Sequence, residues 1–176
     1  MTLTRTDRPG TRHARRRERL RLAEQDRCSA QLASLHQTCE VLARARDLVA
    51  TGWIRGGWFA YETDGVRQIA AAQNLALVQH RPVTATCLVG GLVYAGGGIA
   101  AVNSEPVRRA IELTWRALTG DQHRPINWCP PPAVRTMHVR DLTRWNDHPS
   151  RQPADVHALL TRAHTMATAE LKRHPA

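Results

Sequence analysis

Lysine is almost missing from this chain: Lys172 is the only one, and the other 24 basic residues are arginine. Arginine forks suit phosphate and carboxylate groups bidentately. A composition rich in Arg, Ala, Gly and Pro is also what a GC-rich genome encodes, and that plainer reading is preferred. Also missing is an apolar run behind the basic N-terminal residues, so they do not read as a secretory signal. Cys28, Cys39, Cys87 and Cys129 are therefore expected as free thiols in a reducing cytoplasm. No C-x-x-C motif and no closely spaced histidine pair of the zinc type occurs.

The last absence is of charge. Pro82 to Ser104 (PVTATCLVGGLVYAGGGIAAVNS) holds no Asp, Glu, Lys or Arg, although charged residues make up 23% of the sequence. A segment of this kind must be buried in a core, a membrane or a ligand site. It is long enough to span a bilayer, but its five glycines and Asn103 make a poor spanning helix. The mean hydropathy of the chain, -0.43, points the same way, so no membrane partner is expected. Residues 92–101 also fit an apolar strand followed by G-x-G-x-x-A, the pattern that brings backbone N–H groups to a pyrophosphate. The context fails, because Ser104-Glu105-Pro106 signals a new helix five residues on and no β-α-β alternation surrounds it. No cofactor is expected.

What is present is basic charge, unevenly placed. The net charge is +10. Residues 1–21 carry eight arginines against Asp7 and Glu18, which leaves +6 in that arm. Arg12, Arg15, Arg16, Arg17, Arg19 and Arg21 are the candidate nucleic-acid-binding residues, able to neutralise phosphates without reading sequence. No helix-turn-helix, zinc finger or RNA-stacking signature accompanies them. A solvated tail is the competing reading.

The length suits one domain with a real core. Residues 1–12 lack apolar periodicity and contain Pro9-Gly10, so disorder is expected there. Residues 1–27 read as a basic, flexible arm or frayed helix, and residues 28–173 as a helical domain. Cys28, Leu32, Leu35, Cys39, Leu42, Arg46 and Val49 follow a helical stripe broken only by Arg46. One long helix is preferred over a shorter one capped by Thr38, and Gly52 is expected as its left-handed C-cap. Trp58 to Tyr61, a Thr63-Asp64-Gly65 turn and Val66 to Ile69 read as a small β-hairpin. Residues 70–81 are undecided. A helix is expected from Ala85 to Ala95, with Gly90-Gly91 admitting a neighbouring backbone. Another starts at a capping Ser104 and ends at Thr119-Gly120. Residues 120–136, with three consecutive prolines, read as loop, followed by a short helix from Val139 to Trp145. The last helix runs from Pro153 to about Lys172, capped by Ser150 or Gln152, with Val156, Leu159, Leu160, Ala163, Ala167 and Leu171 on one face. The fold class is mainly α: a single domain of four or five helices, a possible hairpin, and a disordered basic arm.

Three further constellations could carry chemistry. Cys87 stands near an expected helix start, where the dipole lowers a thiol pKa. His80, His123, His138 and His148 are its candidate bases, but a small buried Cys among Leu and Val is the plainer reading. His123, Cys129 and His138 share one loop region, and His157 and His164 one helical face; neither set has metal-ligand spacing, and no metal is expected. Trp145-Asn146-Asp147 offers an indole, an amide and a carboxylate at a helix end, so Asn146 and Asp147 join Cys87 as weak catalytic candidates. Packing of Trp145 and turn formation by its neighbours is the plainer account.

Gly52-Trp53 at a helix end, Cys87-Leu88-Val89-Gly90-Gly91-Leu92 opening another, and Leu142-Thr143-Arg144-Trp145-Asn146-Asp147 before Ala154-Asp155-Val156-His157-Ala158-Leu159-Leu160 are familiar together. Over about Val41 to Ala163 the chain resembles a family of small uncharacterised proteins from actinobacteria and their phages. That family usually has Gly-Ala where this chain has Gly90-Gly91. The resemblance implies membership and attaches no reaction or ligand. The expected function is that of a cytoplasmic, non-enzymatic binding protein contacting nucleic acid through the arm. A small enzyme using Cys87 and a protein-protein interaction module are the alternatives.

Overall fold

A computed structural model describes residues 9–120 and 126–173, with side chains from residue 13 onward. The described residues hold five α-helices and three short strands: α1 (Pro9–Thr51), β1 (Phe59–Thr63), β2 (Val66–Ala70), β3 (Val83–Thr86), α2 (Leu88–Ala95), α3 (Glu105–Thr119), α4 (Pro132–Asp147) and α5 (Pro153–Arg173). Two 3-10 segments, Ala72–Val78 and Ile99–Asn103, bring the helical elements above the expected four or five.

The spine is α1. Leu35, Leu42, Ala45 and Val49 are buried along one face of its second half. Burial begins near Leu32 rather than at Cys28, which is exposed. Thr38 does not start a separate helix; its hydroxyl donates to the Ser34 carbonyl at 2.8 Å inside a continuous one. Residues 9–27 belong to the same helix. Residues 1–8 lie outside the described residues. Against α1 pack α5, α2 and α3. Val156, Leu159, Leu160, Ala163 and Ala167 of α5 are fully buried, each large one worth about 1.5–3 kcal/mol of transfer free energy. No helix among the described residues is long and apolar enough to cross a membrane.

The hairpin forms as the Asp64-Gly65 pair dictates. Both residues have positive φ, 52° and 74°, and close Thr63 onto Val66 in a two-residue turn. A third strand joins it, giving the antiparallel order β2-β1-β3. This corrects the helix expected from Ala85. Val83, Thr84 and Thr86 are β-branched and suit a strand, and the helix begins only at Leu88, with Cys87 in the extended N-cap position.

Two glycine expectations come out differently. Gly90 does admit a backbone: a Cβ there would sit 2.8 Å from the Trp58 carbonyl carbon and closer still to its oxygen. Gly52 is not a left-handed cap, since its φ is not positive. It is glycine because a Cβ would meet the Thr84 carbonyl oxygen at 2.7 Å. Both serve the same seam, where the 52–58 segment threads between α1, β3 and α2. Gly120 is a left-handed cap, with φ 74°, and its N–H reaches the Arg116 carbonyl. Ser104 occupies the N-cap of α3, but its hydroxyl makes no cap bond.

The proline run starts a helix instead of excluding one. Pro131 is the N-cap of α4 and Pro132 its first residue, positions whose N–H has no partner within the helix. The helix therefore covers residues 132–136, expected as loop.

Gly90→Ala is expected to lower the urea midpoint by an amount equivalent to about 3 kcal/mol, because neither the Trp58 backbone nor α2 can move aside. Gly91→Ala, whose nearest neighbour would be the Thr86 hydroxyl at 3.1 Å, is expected to cost less than half of that in the same unfolding curves.

Candidate functional site

Cys87 and the Trp145-Asn146-Asp147 sequence do meet, at the point where α4 ends and α2 begins. Asn146 is wholly buried. Its Oδ1 accepts from the Trp53 indole N–H at 2.8 Å and from the backbone N–H of Leu88 at 3.0 Å. Its Nδ2 donates to the Ile54 carbonyl at 3.1 Å and to Asp147 Oδ1 at 2.9 Å. Asp147 Oδ1 also accepts from the Gly56 N–H at 3.0 Å. A primary amide offers two donors and two acceptor lone pairs, so every hydrogen-bonding position of Asn146 is taken. The bond to Leu88 satisfies one of the N–H groups that the first turn of α2 leaves without a partner. Around this knot Arg55 lies over the Trp53 ring at 5.6 Å and donates to the Pro149 carbonyl, while Arg151 lies over Trp145 at 4.6 Å.

Cys87 is the N-cap of α2. Its Sγ accepts from the Gly90 N–H at 3.3 Å and is fully buried. Burial pushes the thiol up to about 12; hydrogen bonds from Gly90 and Val89 oppose the shift without reversing it. None of the candidate bases is hydrogen-bonded to it among the described residues. His138 is bonded to Glu112, His148 to Ser150, His80 is exposed, and His123 lies outside the described residues. The arrangement holds a neutral thiol inside a packed junction. What this constellation does is mechanical: it fastens the 52–56 segment, the start of α2 and the end of α4 together.

The arginine arm is the other sequence-derived site. From His13 to Gln31 every residue of α1 except Ala23 is exposed. Arg12, Arg15, Arg16 and Arg19 fall at i, i+3, i+4 and i+7, on one side of the helix. Arg17 and Arg21, four apart, form a second row. Arg15, Arg16, Arg17, Arg19 and Arg21 make no ion pair with a described residue; the Arg12 side chain lies outside the description.

No group of three or more His, Cys, Asp or Glu side chains that could hold a metal is found among the described residues. The 92–95 segment that a dinucleotide fold needs as strand is helical. Sequence reasoning missed Trp53 as the partner of Asn146, and it missed Glu112, buried and bonded to His138 at 2.8 Å. A signal for the second existed. Arg109, Glu112 and Arg116 recur at helical spacing within α3, on a helix that is buried nearly all round.

The described residues form a mainly helical domain with a small three-stranded antiparallel sheet. Residues 34–166 match the family of unknown function DUF6197, and the chain belongs to it. The range drawn from the sequence motifs, Val41 to Ala163, lies inside that match. No curated protein and no solved structure matches the chain.

Asn146→Leu is expected to destabilise the protein by at least about 3 kcal/mol in chemical unfolding, since it leaves the Trp53 and Leu88 donors and the Ile54 carbonyl buried without partners. A second expectation concerns alkali. The folded thiol keeps its proton when the unfolded thiol, near 9.0, has lost it. Stability from Cys87 is thus complete below pH 9 and falls as pH rises toward about 12, by roughly 1.4 kcal/mol per pH unit. Unfolding midpoints of wild type and Cys87→Ala between pH 9 and 11 check this: only the wild type should carry the extra slope.

Proposed function

We propose that this is a non-enzymatic binding protein that contacts the phosphate backbone of nucleic acid through the first half of α1. The observation that carries the reading is the row Arg12, Arg15, Arg16 and Arg19 at i, i+3, i+4 and i+7 of one helix, of which Arg15, Arg16 and Arg19 are exposed and pair with no described acid. At a rise of 1.5 Å per residue these positions span about 10 Å, a length matched to two or three successive phosphates along one strand. Such binding is non-specific in sequence and steeply dependent on salt. The domain behind the arm supplies a fixed base, because burial starts near Leu32 and the arm contributes nothing to the core. A cytoplasmic setting accords with four free thiols, and an actinobacterial or phage source with the arginine bias; both belong to this proposal.

The test is fluorescence anisotropy of a labelled duplex across a salt series. Full-length protein should bind at low salt with a log-log slope of about -2 to -3, as two or three phosphate contacts give. Arg15→Gln/Arg16→Gln/Arg19→Gln should reduce affinity at least about tenfold and flatten the slope by about 2. Its thermal midpoint should stay within about 2 °C of wild type, since exposed arginines away from the core change stability little. No binding by the full-length protein at low salt overturns the reading.

A further inference from the structure

A cleft of about 410 Å³ opens between α3 and α4, away from both the arm and the Asn146 knot. Its size lies in the range of pockets that hold small organic molecules. Facing helical rows build it. On α3, Ile111 and Glu112 stand one turn beyond Arg108; on α4, His138 and Val139 stand one turn beyond Arg135. Trp58 and Val102 complete the apolar wall.

The polar groups are unlike those of the knot. Glu112 and His138 are each 6% exposed and share one bond, Oε2 to Nδ1 at 2.8 Å. The imidazole is stacked on Trp115 with ring centroids 3.7 Å apart and planes 18° from parallel, and the Trp115 indole N–H is held by Asp141 at 3.3 Å. Two contacts therefore fix the ring, and Nδ1–H donation to the carboxylate leaves Nε2 with no hydrogen bond to a described residue. Arg108 and Arg135 are half-buried at the cleft and make no ion pair with a described residue. The charged groups of the lining are these two arginines, Glu112 and His138. They sum to +1 with the imidazole neutral and +2 with it protonated. An apolar wall, two uncommitted guanidinium groups and a net positive charge complement an organic acid.

We propose that this cleft binds a small organic acid, its carboxylate held by Arg108 and Arg135 and its apolar body against Trp58, Ile111 and Val139. Glu112 keeps His138 oriented toward the cleft. The buried pair has a second consequence: a ligand polar group reaching Nε2 finds a ring that needs no reorganisation, which favours one orientation of the bound acid.

Isothermal titration of the full chain with naphthalene-2-carboxylate and with octanoate tests this, each run beside its neutral primary amide. At least one acid should saturate with Kd below about 1 mM, and its amide should bind at least about tenfold more weakly. Arg108→Gln and Arg135→Gln should each weaken the acid at least about fivefold and leave the amide unchanged. Ala72→Trp places a large ring at an exposed position of the cleft lining and should abolish binding of both, with an unchanged circular-dichroism spectrum showing that the variant folds. Three results overturn the proposal: no saturation by either acid with folded wild type, equal affinity for acid and amide, or acid binding that Ala72→Trp leaves intact. The last would place the acid on the arginine arm or elsewhere on the surface.

Discussion

One buried amide holds the fold's separate parts in register. Asn146 closes four hydrogen bonds at once, to an indole, a helix N-terminus, a loop carbonyl and a neighbouring carboxylate. Three of those partners come from segments more than fifty residues distant in sequence. A buried polar group is costly when unpaired and specific when fully paired. The 52–58 segment is held by this pairing together with a parallel bridge from Trp53 to Thr86 and backbone bonds of Trp58 to Ala70 and Cys87. It threads beneath α2 because Gly90 has no side chain and beside β3 because Gly52 has none. Cys87 completes the arrangement as a neutral cap whose sulfur accepts a backbone N–H.

The elements with strong local signatures were legible in the sequence. Asp64-Gly65 announces its turn, Ser104-Glu105-Pro106 its helix start, and the Val156 to Ala167 row its buried face. Errors cluster where a local rule met a tertiary one. Pro131-Pro132 read as a helix breaker, yet at a first turn the missing N–H is no loss. Ala85 and Thr86 read as the first residues of a helix, although β1 is available to pair with them. Gly52 read as a cap because it follows a helix, while its actual constraint is a strand that sequence does not bring near. The motif around Asn146 is visible as a motif, with packing of Trp145 and a turn at its neighbours as the plainer account; Asn146 is instead wholly buried, and its partner Trp53 is a long-range fact. The cleft was hidden for a related reason. Two of its four charged groups sit on α4, in or just after a stretch that prolines made look irregular.

The knot and the cleft show opposite uses of polar side chains in one small domain. Asn146 has no capacity left, so nothing can bind it without unfolding the junction. Arg108, Arg135 and His138 Nε2 have capacity to spare beside an apolar wall. Burial alone does not separate the two cases, since Asn146, Glu112 and His138 are all nearly inaccessible. The accounting of donors and acceptors does.

The continuity of α1 has a geometric consequence. Its first half carries the arginines and its second half is bolted to α2, α3 and α5, with no break between them. An unbroken helix transmits rotation as well as position. Each residue advances the azimuth by about 100°, so the compass bearing of the arginine row about the domain is set by the count of residues between Arg19 and Leu35. One residue more or fewer in that interval would swing the row by more than a quarter turn while leaving composition, charge and core untouched. The spacing there is a dimension of the protein, as much as any bond length in its interior.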